Sequence, residues 1–235
     1  MQLSKLESDA YEELKKNKIK LFRIADLCLL LKIDKTAAYN LVKALKKKSA
    51  IKMAGKGFFS VGDADEFEIG TRISSPSYIS FWSALSYYGF SDQMPKKVFI
   101  ATTKYCRDIN NFKYITLSKK RFFGYVSIGE IVIAEREKAI IDSLLFPKYS
   151  GGIKEVIKCM KAALGQIDIE KLIDYALKTE SNAVLRRLGF SLEYLGCKNN
   201  TENIKKKIGK GYELLDPSMK KQNNPNKQWG LYINW

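Results

Sequence analysis

Asp34-Lys35-Thr36-Ala37-Ala38-Tyr39-Asn40-Leu41-Val42-Lys43-Ala44-Leu45-Lys46-Lys47-Lys48 is followed, after Ser49, by Ala50-Ile51-Lys52-Met53-Ala54-Gly55-Lys56-Gly57-Phe58-Phe59-Ser60-Val61. In the first part Ala38, Leu41, Val42 and Leu45 recur at helical spacing. At 100° per residue, Thr36, Asn40, Lys43 and Lys47 fall on the opposite face. Asp34 is a good N-cap for this helix, and Ile33 before it can staple onto Ala38. In the second part Ile51, Met53, Phe59 and Val61 alternate as the inward residues of two short strands around a Gly55-Lys56-Gly57 turn.

The residues upstream complete the pattern. Leu3, Leu6, Ala10 and Leu14 give an amphipathic helix from Ser4 to Lys16. Ile24, Leu27, Cys28 and Leu31 give a second from Arg23 to Leu31. Helix, helix, short turn, helix and hairpin is the order of a winged helix-turn-helix. There the third helix enters the major groove and the hairpin lies on the flanking backbone. Asn40 can pair bidentately with adenine, and Thr36 and Tyr39 can reach phosphate or base. Lys35, Lys43 and Lys47 suit phosphate or guanine, while Lys52 and Lys56 serve the wing. The competing reading is a winged helix used for protein contacts, with lysines that keep it soluble.

Charge favours a polyanion. The 235-residue chain carries 41 Lys and Arg against 25 Asp and Glu, a formal charge of +16. Residues 1–62 hold 14 basic and 6 acidic side chains, half of that excess in about a quarter of the chain. Neutralising phosphates with lysine releases counterions and favours binding at low salt. Zero histidine excludes Ser-His-Asp and Cys-His catalysis and His-ligated zinc. Cys28, Cys106, Cys159 and Cys197 are scattered without a Cys-x-x-Cys pair, so reduced thiols are expected, with no metal and no cofactor. The longest apolar run, Leu27–Leu31, is far short of the roughly 20 residues of a membrane span, and Met1–Lys5 opens no signal peptide. A cytoplasmic protein with no membrane partner is expected.

Acids and two glycines from Gly62 to Gly70 place a linker at 63–72, between a DNA-binding domain at 1–62 and a larger mixed α+β domain at 73–235. Ser75-Pro76 reads as an N-cap with Pro at N1 of a helix whose Tyr78, Phe81, Trp82 and Leu85 fill its apolar face, closed by Gly89. Short strands follow at 98–102, 112–117, 122–127 and 130–134. Helices are expected from Glu135 to before Pro147, from Gly151-Gly152 through Ala163, and over 169–178 and 182–195. A basic segment at 204–210 and strands at 212–215 and 229–233 close the chain. The class is α+β.

Several features resemble active sites. Glu130, Glu135 and Asp142 could hold Mg²⁺ in a nuclease or nucleotidyl-modifying enzyme, although Lys138 and Asp142 fit an i, i+4 ion pair on one helix. Gly151-Gly152 and Gly209-Lys210-Gly211 lack the P-loop pattern and read as turns. Arg186-Arg187, two of only seven arginines, imply planar bidentate pairing, either with an internal carboxylate or with a phosphate or acidic partner.

The segments Val98–Thr103, Phe122–Tyr125, Ala134–Asp142, Ala183–Glu193, Tyr212–Ser218 and Trp229–Leu231, in this order behind a winged helix, resemble the AbiEi family. Its members are the antitoxins and transcriptional regulators of type IV abortive-infection toxin–antitoxin systems. The resemblance spans nearly the whole chain. It implies a non-enzymatic repressor that binds inverted repeats of double-stranded DNA in its own promoter, either as a homodimer or as cooperating monomers. It also implies that the C-terminal domain counteracts a nucleotidyltransferase-type toxin, with or without direct contact. Carried over, Thr36, Asn40 and Lys43 are the operator-reading candidates, and Arg186 and Arg187 are candidates for the C-terminal activity. An enzyme delivered to nucleic acid, or a module that inhibits a protein partner, are the alternatives.

Overall fold

In the computed structural model, residues 3–62, 64–197 and 201–235 are described. Helix α1 (Lys5–Lys16) starts at a capping box: Ser4 Oγ accepts the Glu7 N–H, and the Glu7 carboxylate accepts the Ser4 N–H at 2.7 Å. A strand absent from the sequence reading, β1 (Leu21–Arg23), comes next, and α2 (Ile24–Leu31) ends at Lys32 in the left-handed region. Asp34 Oδ1 accepts the Ala37 N–H at 2.8 Å and opens α3 (Lys35–Lys47), as its position in the sequence suggests. Strands β2 (Ile51–Gly55) and β3 (Phe58–Val61) form the hairpin. β1 pairs with the free edge of β3, giving an antiparallel sheet of order β1-β3-β2. Ala10, Leu14, Phe22, Leu27, Leu41, Leu45, Ile51 and Phe59 belong to one apolar cluster beneath these elements.

Met53 departs from the expected alternation. Met53 is 51% exposed although its pairing with Phe59 keeps the register of Ile51 with Val61, and the register shifts only after it, between Met53 and Gly55, where Ala54 is buried.

The segment read as a linker at 63–72 is mostly helix. Asp63 lies outside the described residues, but Asp65 caps α4 (Glu66–Ile73) by accepting the Phe67 N–H at 2.7 Å. Acids that interrupt a basic run are also what a helix N-terminus favours. Ile69 and Ile73 are buried, and Gly70 fits where an added Cβ would stand 2.6 Å from Ile100 Cδ1. This glycine marks close packing of helix on sheet and not a break.

Ser75-Pro76 does not begin a helix either. It is a cis peptide leading into β4 (Ser77–Ile79), and α5 (Phe81–Tyr87) starts at Phe81, not Pro76, closed by Gly89 at φ +74°. All three β4 residues are buried, and this strand is central in a five-stranded sheet. The other strands are β5 (Val98–Thr102), β6 (Phe112–Thr116), β7 (Tyr125–Ile128) and β8 (Ile131–Ala134), in the order β6-β5-β4-β8-β7.

Helices α6 (Arg136–Leu145), α7 (Ile153–Ala163), α8 (Ile169–Lys178), α9 (Asn182–Tyr194) and α10 (Glu202–Lys205) follow. A small sheet of order β10-β11-β9 is built from β9 (Glu213–Leu214), β10 (Pro225–Asn226) and β11 (Leu231–Tyr232). α6 is buried nearly all round and packs against α5, α7, α8 and α9. Trp229 lies on Gly189 of α9 so closely that a Cβ there would enter its ring. The protein is thus mixed α+β, and among the described residues no helix is long and apolar enough to cross a membrane.

Candidate nucleic-acid interface

Burial of Ala38, Leu41, Val42 and Leu45 fixes the rotation of α3, so its other faces are presented outward. Lys35, Thr36, Tyr39, Asn40, Lys43 and Lys47 are all exposed. They fall into two columns: Thr36, Asn40, Lys43 and Lys47 run down the middle, while Lys35 and Tyr39 flank them. Lys46, exposed and on the same flank as Lys35 and Tyr39, joins them and is absent from the sequence reading. Its spacing of seven residues from Tyr39 carried the signal. No acidic residue occurs between Lys35 and Lys47. The result is a helix face of amide, hydroxyl and ammonium groups with no carboxylate of its own to neutralise it.

The helix is moored from behind. Lys48, one residue past α3, donates to Glu7 Oε2 at 2.5 Å. That bond, together with the Ser4 cap, holds the Glu7 carboxyl below its ordinary pKa. Lys48 is therefore a tie between α1 and α3, whereas Lys46 and Lys47 project outward.

The hairpin divides its lysines. Lys52 is exposed on β2. Lys56 at the turn donates to Cys106 Sγ at 2.9 Å, and Asn110 Nδ2 donates to the Ala54 carbonyl at 3.1 Å. Ile109 packs on Gly55. The turn thus leans on the loop around 106–110, and the Lys56 ammonium sits at that contact. Lys20 to Glu68 at 3.3 Å is a second tie between the first 62 residues and α4.

Arg186 and Arg187 depart from both pairings considered for them. Both are buried, and both donate to backbone carbonyls: Arg186 to Gly209, Lys210 and Gly230, Arg187 to Leu144, Leu214 and Leu215. Burial lowers the Arg187 pKa, opposed by Glu213 and Asp216. They knit α9 to the C-terminal sheet and to the end of α6, and no guanidinium surface is left for a phosphate.

The carboxylates are likewise engaged by side chains of the protein itself. Glu130 pairs with Arg72, and Asp142 is buried against Lys138. Glu135 and Glu137 share Lys171 at 3.3 and 3.4 Å. Glu135 also accepts the Tyr175 hydroxyl, whose pKa burial and this carboxylate push up to about 12. Among the described residues, no three of Cys, Asp and Glu gather where a metal ion would need them.

No family model matches the chain, and no curated protein does. The chain is similar in fold to a solved protein. The crystal structure of the RV2827C protein from Mycobacterium tuberculosis superposes with a TM-score of 0.74, covering 98% of this chain and 92% of that one at 11% identity. At that identity the likeness concerns architecture along nearly the whole length of both chains.

Proposed function

We propose that the first 62 residues form a winged helix-turn-helix and that the protein is a sequence-specific repressor of double-stranded DNA, of the AbiEi antitoxin type. One observation carries this reading: α3 presents Thr36, Asn40, Lys43 and Lys47 in one exposed column with no acid on the helix. Counterion release on Lys35, Lys43, Lys46, Lys47 and Lys52 supplies affinity, Asn40 and Thr36 read base edges, and occupancy of a promoter blocks transcription. The leaning of the wing turn on residues 106–110 supports a fixed geometry between hairpin and body, with Lys52 the better placed wing contact. The protein acts without catalysis, on inverted half-sites, from the cytoplasm.

The experiment is a mobility-shift titration against the DNA upstream of its own gene, with an unrelated duplex as competitor at physiological salt. A shift that survives the competitor supports the reading, and equal loss on both duplexes overturns it. The antitoxin half rests on the resemblance of the C-terminal segments. Rescue of growth on co-expression with a nucleotidyltransferase-type toxin encoded beside it tests that part separately.

A further inference from the structure

Far along the chain from α3, a groove of about 560 Å³ opens between α7 and the end of α9, within the range that small-ligand sites occupy. One wall is a row of lysines. Lys154, Lys158 and Lys161 recur at i, i+4 and i+7 on α7, so they share a face and span about 10 Å along the helix. All three are exposed, and Ile157 beside them also lines the groove, while Ile153, Val156, Met160 and Ala163 of α7 are buried. Lys158 donates to Asp92 at 2.8 Å, an exposed pair that a stronger anion can displace.

The other wall is aromatic. Tyr194, the last residue of α9, is 64% exposed. It is held by Phe190, stacked at 6.1 Å, and by Trp235, edge-on at 5.6 Å, while Trp235 also meets Phe190 at 5.7 Å. Tyr194 is exposed and Trp235 half-buried, so the groove presents aromatic surface to solvent. Phe190 stacked on one face of Tyr194 and Trp235 edge-on to it fix the tyrosine's orientation before any ligand arrives. No lining side chain is acidic.

Ammonium groups in a row opposite pre-set aromatic rings are what an unpaired nucleotide requires: phosphates on the lysines and a base stacked on a ring. A double helix can set its phosphates against the lysine row but offers no free base to the rings, because its bases already stack on one another. We propose that this groove binds unpaired nucleotides, the phosphates against Lys154, Lys158 and Lys161 and the base against Tyr194 and Trp235. It is a second nucleic-acid site, of different chemistry from α3, and it does not depend on the repressor reading. The nucleotide can be free or part of a single strand, and the assay separates the two.

The assay is fluorescence anisotropy of the full chain with a labelled hexathymidylate, alongside quenching of tryptophan fluorescence by ATP without metal. Four proteins are compared: wild type, Tyr194→Ala, the pair Lys154→Gln with Lys161→Gln, and the α3 pair Lys43→Gln with Lys47→Gln as a control for general polyanion binding. A thermal melt of each verifies folding, and all the substituted side chains are exposed. The expected result is a loss of about tenfold or more in hexathymidylate or ATP affinity with either groove variant, and at most a small change with the α3 pair. Binding of hexathymidylate alone identifies a strand as the ligand, and equally strong quenching by ATP identifies a free nucleotide. Absence of binding to both probes, or groove variants that bind like wild type, overturns the proposal. So does a loss confined to the α3 pair.

Discussion

Lys138 and Asp142 stand one turn apart on α6, both fully buried, and join ammonium to carboxylate in the middle of the larger core. The second Asp142 oxygen accepts the hydroxyls of Tyr78 at 3.0 Å and Ser80 at 2.7 Å. The Lys138 ammonium also lies 4.7 Å from the centre of the Phe123 ring. Burial and the neighbouring Asp142 charge together raise the Tyr78 pKa well above its ordinary value. This network ties α6 to β4 and to the turn into α5. Removing one charge strands the other in a dry interior, which costs about 3–5 kcal/mol. Lys138→Met and Asp142→Leu should each lower the denaturant midpoint severely, and the double variant should recover a large part of the loss. Double-mutant values that simply add would show that the two charges do not depend on each other.

The Glu7–Lys48 bond gives the mooring of α3 on α1 a pH dependence. The folded pKa of Glu7 lies below its ordinary value near 4.5. Its stabilising effect is therefore present above about pH 4.5 and is lost as pH falls through the lower, folded value. Glu7→Gln should remove that part of the acid dependence and loosen α1 against the end of α3. Amide exchange of α3 residues at pH 6 reads this out: faster exchange in Glu7→Gln than in wild type is expected, and identical rates would place the mooring elsewhere.

Arg187 makes a test of structure against function. Its planar fork reaches the carbonyls of Leu144, Leu214 and Leu215 from one position, a span that a lysine ammonium cannot reproduce. Arg187→Lys leaves at least one buried carbonyl unpaired, at about 1–3 kcal/mol. Lower thermal stability with unchanged DNA affinity is the expected pairing of results. Unchanged stability with loss of C-terminal activity would return Arg187 to the functional residues.

How much of this was legible in the sequence depends on the range over which each signal acts. α3 was legible because its period, its Asp34 cap and its opposing polar column all lie within 14 residues. The Lys138–Asp142 pair was legible as spacing, but not as a buried pair, since Tyr78 and Ser80 close it from more than 60 residues away. β1 was too short to stand out, and it exists because β3 offers an edge to pair with. The acids of α4 read as a break because charge alone does not separate a loop from a helix N-terminus. Arg186 and Arg187 suggested ion pairing with a carboxylate or phosphate, but their acceptors are backbone carbonyls, which no side-chain pattern reveals. The groove at Tyr194 joins α7, α9 and residue 235 and has no local signature at all.

In the proposed function α3 reads bases while the lysines around it supply affinity without reading sequence. Specific and non-specific duplex affinities measured across a salt series for wild type, Asn40→Ala and Lys52→Ala separate these two roles. Asn40→Ala should lower the ratio of specific to non-specific affinity by about 1–3 kcal/mol and leave the salt slope in place. Lys52→Ala should weaken both duplexes alike and make the slope shallower by about one. Equal, sequence-independent losses from both substitutions would contradict the assignment of α3 as the reading helix.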